Sequence, residues 1–517
     1  MKKVDGELPP LEMWGGIECS CVRLADRVED QLVRTGHDRR LDDLDRLAHL
    51  GLRTVRYPVI WRNPAPYDWR WADERLGRLQ ELGIRPIVGF VHHGCGPLPG
   101  GFLDPGFVTG LEDFAREFAR RFPWVDAYTP VNEPLTTARF SGMYGLWHPC
   151  ERDAASLARI LLIECQAIRA AMRAIRVVNP HAELVQTEDI GKIHSTELLA
   201  YQADFENERR WLSFDLLGGR VAPHTMLWRH LVESGLDAHE LESFREDPCP
   251  PDIFGMNYYV TSERFLDEQL WKYPADHHGG NGRQAYADVS AVRVRAEGVN
   301  GAAALLRELW ERYRRPVAVT EVQLACTREE QVRWLCEMWE GANQARQAGV
   351  PVRAITAWAL FGAYDWDTLL QLPRGRYENG AFAVRDGVPH ETAIAGVIRG
   401  LATQGEIQHP VLAMPGWWRR PERLEYPPLA APRTGIGTAL TIAPLPPPEV
   451  PALLVVAAGE RLFHEVCTMR GLPYRLAAPT EPSIDLAPAE GPVPWGVIAE
   501  QTTPTALTDQ CQALGIP

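Results

Sequence analysis

The chain has 517 residues, enough for roughly two to four average domains or for one large α/β barrel with an appendage. Apolar residues make up 45% of it, an ordinary share for a globular protein with a large core. The formal net charge of −14 at pH 7 offers no basic face to phosphates. We therefore expect no nucleic-acid partner.

The sequence also predicts the compartment in which the protein works. Its first ten residues, MKKVDGELPP, have neither the apolar centre nor the small-residue cleavage site of a secretory signal. No apolar run approaches the length that spans a bilayer, so we expect no membrane partner. The ten cysteines are scattered, mostly inside apolar segments, which favours reduced thiols over a disulfide framework. These features together predict a cytoplasmic protein.

Short apolar runs alternate with longer amphipathic ones as far as about residue 402. Most of the runs are nearly continuous in Val, Ile, Leu and aromatic residues, as in a parallel sheet that helices cover on its outer face. The predicted strands are Leu11–Glu18, Thr54–Trp61, Pro86–His93, Ala127–Glu133, Ala182–Glu188, Asp252–Tyr259, Pro316–Glu321 and Ala354–Trp366.

Helical periodicity fills the intervals between these strands. The predicted helices are Leu41–Leu50, Trp71–Leu82, Val108–Phe122, Ala154–Val178, Gly301–Tyr313, Arg328–Ala348 and Glu391–Leu401. Eight strands with intervening helices favour an α/β fold of the (β/α)8 TIM-barrel type. An open, doubly wound sheet is the alternative, but the first turn lacks the glycine-rich sequence typical of that fold.

The character of the sequence changes after the last predicted helix. Eleven prolines between Pro410 and Pro451 exclude regular helix or central strand. We therefore predict a barrel over 1–405, a Pro-rich linker over 406–451 and a small fragment over 452–517. The fragment reads as a strand at Ala452–Ala457, a helix at Arg461–Arg470 and a second strand at Tyr474. This is one partial Rossmann-like βαβ unit, and the chain ends before a sheet is completed.

Two glutamates end apolar strands and are the strongest candidates for chemistry. Glu133 follows Ala127-Tyr-Thr-Pro-Val-Asn132, and Glu321 follows Pro316-Val-Ala-Val-Thr320. A β/α barrel carries its catalytic groups at the carboxyl ends of its strands. Two carboxylates facing one pocket are the minimum apparatus for breaking a glycosidic bond. Taken alone, a Glu-Pro at a strand end is more often a turn with a solvated carboxylate.

The segment Thr129-Pro-Val-Asn-Glu-Pro134 resembles the strand-4 signature of glycoside hydrolase family 1, a family of retaining β-glycosidases with a (β/α)8 barrel. Further segments are similar to that family in the same order, over roughly residues 11–400. They are His37–Gly51, Arg56-Tyr-Pro-Val-Ile-Trp61, His93-Gly-Cys-Gly-Pro97, Phe254-Gly-Met-Asn-Tyr-Tyr259, Val319-Thr-Glu321 and Trp358–Trp366.

The resemblance implies a role for each matching residue. Glu321 would be the nucleophile and Glu133 the acid/base catalyst, with carboxyl groups about 5 Å apart. Arg56 would keep Glu321 ionised, and Tyr258 would orient it. Asn132 would bind the sugar hydroxyl next to the reacting carbon. His93 and Trp366 would also contact the sugar, which is the small-molecule partner that the resemblance implies.

The chain departs from the family pattern at several sugar-binding positions. The sugar-binding Gln of the first strand aligns with Val22, and Glu18 is the candidate to replace it. The Trp after the strand-3 His is Gly94, and the strand-8 Glu is shortened to Asp365. The mechanism therefore transfers from the family better than the sugar specificity does.

Other motifs point to different functions. His92, His93 and Cys95 lie close together in sequence, but no partner cluster with zinc-like spacing accompanies them, so we expect no metal. Leu453–Ile484 resembles the first βαβ unit of the dTDP-4-dehydrorhamnose reductase family. Its phosphate-binding turn keeps only Gly459 beside Glu460, so we expect no cofactor. A sugar-nucleotide-linked protein of that reductase type, or a non-catalytic carbohydrate-binding barrel, is the alternative to a glycosidase.

Overall fold

The computed structural model describes residues 8–426 and the short segments 453–456, 474–477 and 496–499. The chain divides into two units, and the first lies within Met1–Ala291 and Val299–Ala413. Its centre is a closed barrel of eight parallel strands. These strands are β1 Glu12–Gly16, β2 Thr54–Pro58, β3 Arg85–His92, β4 Ala127–Asn132, β5 Glu183–Asp189, β6 Ile253–Asn257, β7 Val317–Val322 and β8 Val352–Ala357.

Each barrel strand pairs with its neighbours in chain order, and β1 closes the ring. Glu12 of β1 pairs with Ala354 of β8, and Gly16 of β1 pairs with Arg56 of β2. Seven of the strands contribute buried apolar side chains to one core cluster: Trp14, Ile87, Ala127, Val185, Ile253, Ala318 and Ala354. The predicted (β/α)8 fold is confirmed.

Helices surround this barrel. In chain order, α1–α13 are Gln31–Thr35, Asp43–His49, Arg70–Glu81, Phe107–Arg121, Pro134–Ala138, Ala154–Val178, Ala200–Arg209, Leu212–Leu217, Met226–Glu233, Ala238–Glu246, Ala302–Tyr313, Arg328–Gln347 and Ala393–Gln404. The long ones bury an apolar stripe, as in α6, where Leu157, Leu161 and Ile168 are fully buried. None of the described helices is both long and apolar enough to cross a membrane.

Several shorter strands form separate small sheets outside the barrel. A hairpin of Cys21–Arg23 and Val28–Asp30 follows β1. A four-stranded sheet joins His278–Gly280, Ala285–Ser290, Arg264–Asp267 and Ile193–Ser195. The predicted eighth strand ended at Trp366, whereas β8 ends at Ala357 and a separate two-residue strand follows at Ala363–Tyr364.

The second unit lies within Val292–Gly298 and Met414–Pro517. It contains a three-stranded parallel sheet with Leu453–Val456 in the middle, Tyr474–Ala477 on one side and Gly496–Ala499 on the other. Two of these strands were predicted, and the third adds to the expected βαβ unit. The predicted helix Arg461–Arg470 lies outside the described residues, so the Rossmann-like interpretation and the domain limits at 405 and 451 stay predictions.

Candidate active site

Glu133 and Glu321 lie at the carboxyl ends of β4 and β7. Glu133 directly follows β4 and has a left-handed backbone, with φ of 46°, before Pro134 begins α5. Glu321 is the fifth residue of β7. Both side chains are buried, with 4% of Glu133 and 2% of Glu321 exposed. The closed ring of strands aims both carboxylates at the same end of the barrel.

The carboxylate of Glu321 is held at both oxygens. Arg56 Nη1 donates to Oε1 at 2.8 Å, and the Tyr259 hydroxyl donates to Oε2 at 2.5 Å. Burial raises the pKa of Glu321, while the positive charge of Arg56 and the hydrogen bond from Tyr259 oppose that rise. Two donors, one of them a cation, therefore favour the ionised form of Glu321.

The residue that orients Glu321 is Tyr259, and the prediction that named Tyr258 is wrong. The Tyr258 hydroxyl donates to Glu263 Oε1 at 2.7 Å, and its ring stacks on Trp334 of α12. The backbone N–H of Tyr258 donates to the carbonyl oxygen of Glu321. The two neighbouring side chains point to opposite sides of an extended backbone, so only one of them reaches the barrel centre.

Glu133 has a different environment. Asn257 Nδ2 donates to its Oε1 at 2.6 Å, and His93 Nε2 lies 3.6 Å from its Oε2. Burial, then the charge of Glu321, then Glu188 and Asp189 raise the pKa of Glu133 well above its usual range. Burial also lowers the pKa of His93 to about 3, so this histidine is neutral and adds no positive charge. Both pKa values are raised, that of Glu133 more strongly, because Glu321 has a cationic donor and Glu133 does not.

Asn132 contacts both Arg56, which bonds Glu321, and His93, which lies beside Glu133. Its Oδ1 accepts from Arg56 Nη2 and from Thr187 Oγ1, each at 2.7 Å. Its Nδ2 lies 3.3 Å from His92 Nε2 and 3.4 Å from His93 Nε2. Arg56 thus donates hydrogen bonds to Glu321, the candidate nucleophile, and to the side-chain amide oxygen of Asn132, the residue before Glu133.

His93, Trp366 and Glu18 also reach this end of the barrel. The rings of His93 and Trp366 lie 5.6 Å apart, and Thr137 Oγ1 is 3.0 Å from His93 Nδ1. Burial raises the pKa of Glu18, and the hydrogen bonds that Ser20 N and Trp358 Nε1 donate to its carboxylate oppose that rise. The aligned alternative to Glu18, Val22, is fully buried in an apolar cluster with Trp147 and Leu370.

Asp365 does not have the free carboxylate that a sugar-gripping residue needs. Arg34 Nη1 donates to Oδ2 at 2.8 Å, and the backbone N–H groups of Gly375 and Arg376 donate at 3.1 and 2.7 Å. Only 1% of the residue is exposed. Since the side chain is one methylene shorter than Glu, it bonds its own loop, and the sequence-based prediction of sugar binding is corrected to a loop-stabilising role.

Glu188, near the end of β5, anchors the helix that follows Glu133. Its carboxylate accepts from Leu135 N at 2.8 Å, from Thr136 N at 3.2 Å and from Ser213 Oγ at 3.0 Å. Burial raises the pKa of Glu188 to about 7. These bonds hold the first turn of α5 and with it the strained backbone of Glu133.

Sequence reasoning missed three contributors: Tyr259, Asn257 and Thr187. Tyr259 and Asn257 both lie in the quoted motif Phe254–Tyr259, and their position at the end of a predicted strand was the available signal. Thr187 lies inside β5 and gave no signal of its own. In the described residues no group of three or more His, Cys, Asp or Glu side chains is arranged to hold a metal ion.

Comparison with known proteins gives relatives at low identity. No protein-family model matches the chain. A coniferin beta-glucosidase from Pinus contorta is 24% identical over 200 residues, which cover 35% of this chain and 38% of that protein. The chain thus matches less than half the length of this curated relative.

Solved structures match over a larger share of the chain. A family 1 beta-glucosidase from Thermotoga maritima covers 78% of this chain and 100% of its own, with a TM-score of 0.63 and 15% identity. The same enzyme in complex with castanospermine covers 77% and 98%, with a TM-score of 0.63 and 16% identity. At such identities the likeness establishes the barrel fold.

Proposed function

We propose that this chain is a retaining β-glycosidase, with Glu321 as nucleophile and Glu133 as acid/base catalyst. The contrast between their surroundings carries the proposal. Glu321 is bonded by a guanidinium and a phenol, whereas Glu133 is bonded by a neutral amide and has the more strongly raised pKa. A retaining glycosidase needs this difference, because one carboxyl must be charged while the other holds a proton.

In the first step an oxygen of Glu321 attacks the anomeric carbon of the sugar. The bond from that carbon to the leaving oxygen breaks, and Glu133 donates its proton to the leaving oxygen. Arg56 and Tyr259 keep Glu321 ionised and oriented for this attack. Asn132, fixed through its Oδ1, turns its Nδ2 towards the sugar side of the site.

The second step uses the same two groups with reversed roles. Once Glu321 is esterified to the sugar, its negative charge is gone, and with it one cause of the raised pKa of Glu133. Glu133 is then the stronger acid and is present as carboxylate, so it takes a proton from water. The water oxygen attacks the anomeric carbon, and Glu321 leaves as carboxylate.

We propose a small β-linked carbohydrate as the substrate. Glu18 offers an acceptor for sugar hydroxyls, and Trp366 and His93 offer rings beside them. The beta-glucosidase names of the relatives support β-linked substrates. The engagement of Asp365 with its own loop argues that the sugar hydroxyls are read differently from those in family 1 enzymes that keep a Glu at this position.

We also propose that the enzyme works in the cytoplasm. The described cysteines Cys19, Cys95, Cys165, Cys249 and Cys336 are buried free thiols. Unpaired cysteines in these numbers are typical of a reducing compartment.

Covalent trapping tests the proposed function directly. The protein is incubated with a panel of 2-deoxy-2-fluoro glycosyl fluorides, which slow the second step, and its intact mass is measured. We expect a mass increase of one fluoroglycosyl group, mapped by peptide sequencing to Glu321. The accepted member of the panel also identifies the sugar.

Two variants control this experiment. Glu321→Gln removes the nucleophile and abolishes labelling. Glu311→Gln changes an exposed carboxylate on α11 and leaves labelling unchanged. A folded wild-type protein that no member of the panel labels would contradict retaining hydrolysis and favour a non-catalytic barrel.

A further inference from the structure

A short strand after β8 carries a carboxylate that has no part in the mechanism above. Tyr377 and Glu378 form this two-residue strand, which pairs antiparallel with Ala363–Tyr364. Glu378 lies opposite Ala363, and Tyr377 lies opposite Tyr364. Glu378 is therefore held against the segment that follows the carboxyl end of β8, at the same end of the barrel as the catalytic carboxylates.

Hydrogen bonds fix the backbone on both sides of Glu378. Before it, the carboxylate of Asp365 accepts from the backbone N–H of Arg376 at 2.7 Å, and Asp365 N donates to the carbonyl oxygen of Arg376 at 2.9 Å. After it, the carbonyl oxygen of Asn379 accepts from Gln331 Nε2 at 2.9 Å. The loop-stabilising role of Asp365 thus has a second effect, because it sets the position of Glu378.

The two side chains of this strand point to opposite faces. The rings of Tyr377 and Tyr364 lie 4.9 Å apart on one face, where the guanidinium of Arg34 in α1 lies 4.7 Å from the centre of the Tyr364 ring. Successive side chains of a strand alternate between its faces. Glu378 therefore points away from α1, on the face that it shares with the buried Ala363.

Glu378 lies near Glu18, which follows β1. The strands β1 and β8 are neighbours in the barrel, and Leu360 N donates to the carbonyl oxygen of Gly16 at 2.9 Å, which joins the segment after β8 to the end of β1. The charge of Glu18 is one of the causes that raise the pKa of Glu378, so the two carboxyl groups lie within electrostatic range of each other. Since Glu18 is a proposed sugar contact, Glu378 lies beside the proposed sugar site.

The carboxylate of Glu378 is partly buried and free to accept hydrogen bonds. Among the residues that the structure describes, none donates a hydrogen bond to it or forms an ion pair with it, and the nearby Arg376 pairs with Asp367 at 3.0 Å instead. Burial raises the pKa of Glu378 to about 7, and the charge of Arg376 opposes that rise. The charges of Asp367, Glu18 and Asp365 add to it. A ligand that donates hydrogen bonds would stabilise this carboxylate.

We propose that Glu378 determines sugar specificity, because its carboxylate accepts a hydrogen bond from one hydroxyl group of the sugar unit that is cleaved. This role rests on the proposed glycosidase function and names a group that reads the sugar. The substrate class is an uncharged sugar with hydroxyl groups that donate to Glu18 and to Glu378. A sugar that carries hydrogen, a phosphate or a carboxylate at the position facing Glu378 is disfavoured, because it offers no donor there.

Deoxy substrates test this contact one hydroxyl group at a time. The parent substrate is the dinitrophenyl β-glycoside of the sugar that the labelling panel identifies, and each derivative has one hydroxyl group, other than that at C2, replaced by hydrogen. For one derivative we expect the wild-type kcat/KM to be about tenfold or more below that of the parent. Glu378→Ala should lower kcat/KM for the parent by a similar factor and leave kcat/KM for that derivative unchanged. Glu378→Gln keeps the side-chain size and should give a smaller loss with the same pattern.

Two variants control for structural effects, and the melting temperature of each variant verifies that it is folded. Tyr377→Phe removes a hydroxyl that donates to the carbonyl oxygen of Phe361 at 2.7 Å, so any loss should be the same for the parent and for every derivative. Glu406→Ala removes an exposed carboxylate after α13 and should change nothing. The proposal is overturned if the Glu378 variants lower kcat/KM by one common factor for the whole series, or if they leave the series unchanged.

Binding measurements separate this role from hydrolysis. The probes are D-glucose and D-galactose, titrated at high millimolar concentration and followed by isothermal titration calorimetry. Binding that Glu378→Ala weakens, without hydrolysis of any aryl glycoside, would overturn the glycosidase mechanism and keep Glu378 as a sugar-binding residue. Hydrolysis that does not depend on Glu378 would overturn the role of Glu378 alone. Both proposals fail if the folded protein hydrolyses no aryl glycoside and binds neither sugar, or binds them independently of Glu378.

Discussion

The hydroxyl of Tyr259 donates to Glu321 Oε2 at 2.5 Å, on the carboxylate oxygen that Arg56 leaves free. The phenol and the guanidinium thus share one carboxylate, and each favours its ionised form. Tyr258, the preceding residue, gives its hydroxyl to Glu263 instead. This pair of adjacent tyrosines offers a matched test of which hydroxyl serves the site.

Tyr259→Phe removes a hydrogen bond to a charged acceptor, which is worth about 1.5–3 kcal/mol. We expect kcat/KM for an aryl β-glycoside to fall about tenfold to a hundredfold. The pKa of Glu321 rises without this bond, so the acidic limb of the pH profile moves to higher pH. Tyr258→Phe should leave both the rate and the profile unchanged. Equal effects of the two substitutions would contradict the assignment.

Glu133→Gln removes the acid that protonates the leaving oxygen. We expect kcat/KM for poor leaving groups to fall by about 10² to 10⁴. A dinitrophenyl glycoside needs no acid, so the first step should stay near the wild-type rate with that substrate. Steady-state and burst kinetics over a series of aryl glycosides measure this dependence. An equal fall in kcat/KM for every leaving group would rule out Glu133 as the acid.

Glu321→Gln should lower the pKa of Glu133, because the charge of Glu321 is one cause of its elevation. Activity requires charged Glu321 and protonated Glu133, so the wild-type profile rises as Glu321 ionises and falls as Glu133 loses its proton. Carboxyl NMR titration of Glu133 measures the change directly. Glu18→Gln provides the control, since Glu18 is not among the main causes of the raised pKa of Glu133. An unchanged Glu133 pKa in Glu321→Gln would mean that the two carboxyls do not interact.

The burial of Glu164 on α6 leads to a prediction about stability. It is fully buried, neither oxygen has a hydrogen-bond partner among the described residues, and burial followed by the Glu188 charge raises its pKa well above the usual range. In the unfolded chain the Glu164 carboxyl ionises near its usual pKa, whereas in the folded protein it keeps its proton. Glu164 therefore lowers the free energy of unfolding as the pH rises above the unfolded-state pKa of its carboxyl. The loss grows until the pH reaches the folded-state pKa.

Glu164→Gln removes that titration. We expect a melting temperature on the order of 2 °C higher at pH 7, and a smaller gain at pH 4.5. Glu340→Gln, on the exposed face of α12, should show no such pH-dependent gain. Calorimetry at the two pH values measures both variants, and a gain that does not grow with pH would contradict a buried, protonated Glu164.

Local sequence patterns predicted the barrel well because each strand is an apolar run. All eight barrel strands fall within or beside their predicted ranges, and α6 was predicted to the residue. The four helices between Ala200 and Glu246 were not predicted, since their mixed polar and apolar residues gave no clear period. The strand Gly496–Ala499 was also not predicted.

The site was harder to predict where it depends on direction or on distant partners. Sequence could place Glu133 and Glu321 at strand ends, but it could not decide which tyrosine faces the barrel centre once β6 ends at Asn257. The bond from Arg34 to Asp365 joins residues far apart in sequence, so nothing near Asp365 indicated that its carboxylate was already occupied.

Closure of the ring through β1 has a consequence for biosynthesis. The strand β1, which contains Glu12, gains its second neighbour only after Ala354 in β8 has been synthesised. At ordinary translation rates this delay is on the order of tens of seconds. During it the nascent chain carries an unpaired strand edge, which is a template for aggregation. A polypeptide that stops before β8 would therefore be expected to depend on chaperones and to accumulate as insoluble material.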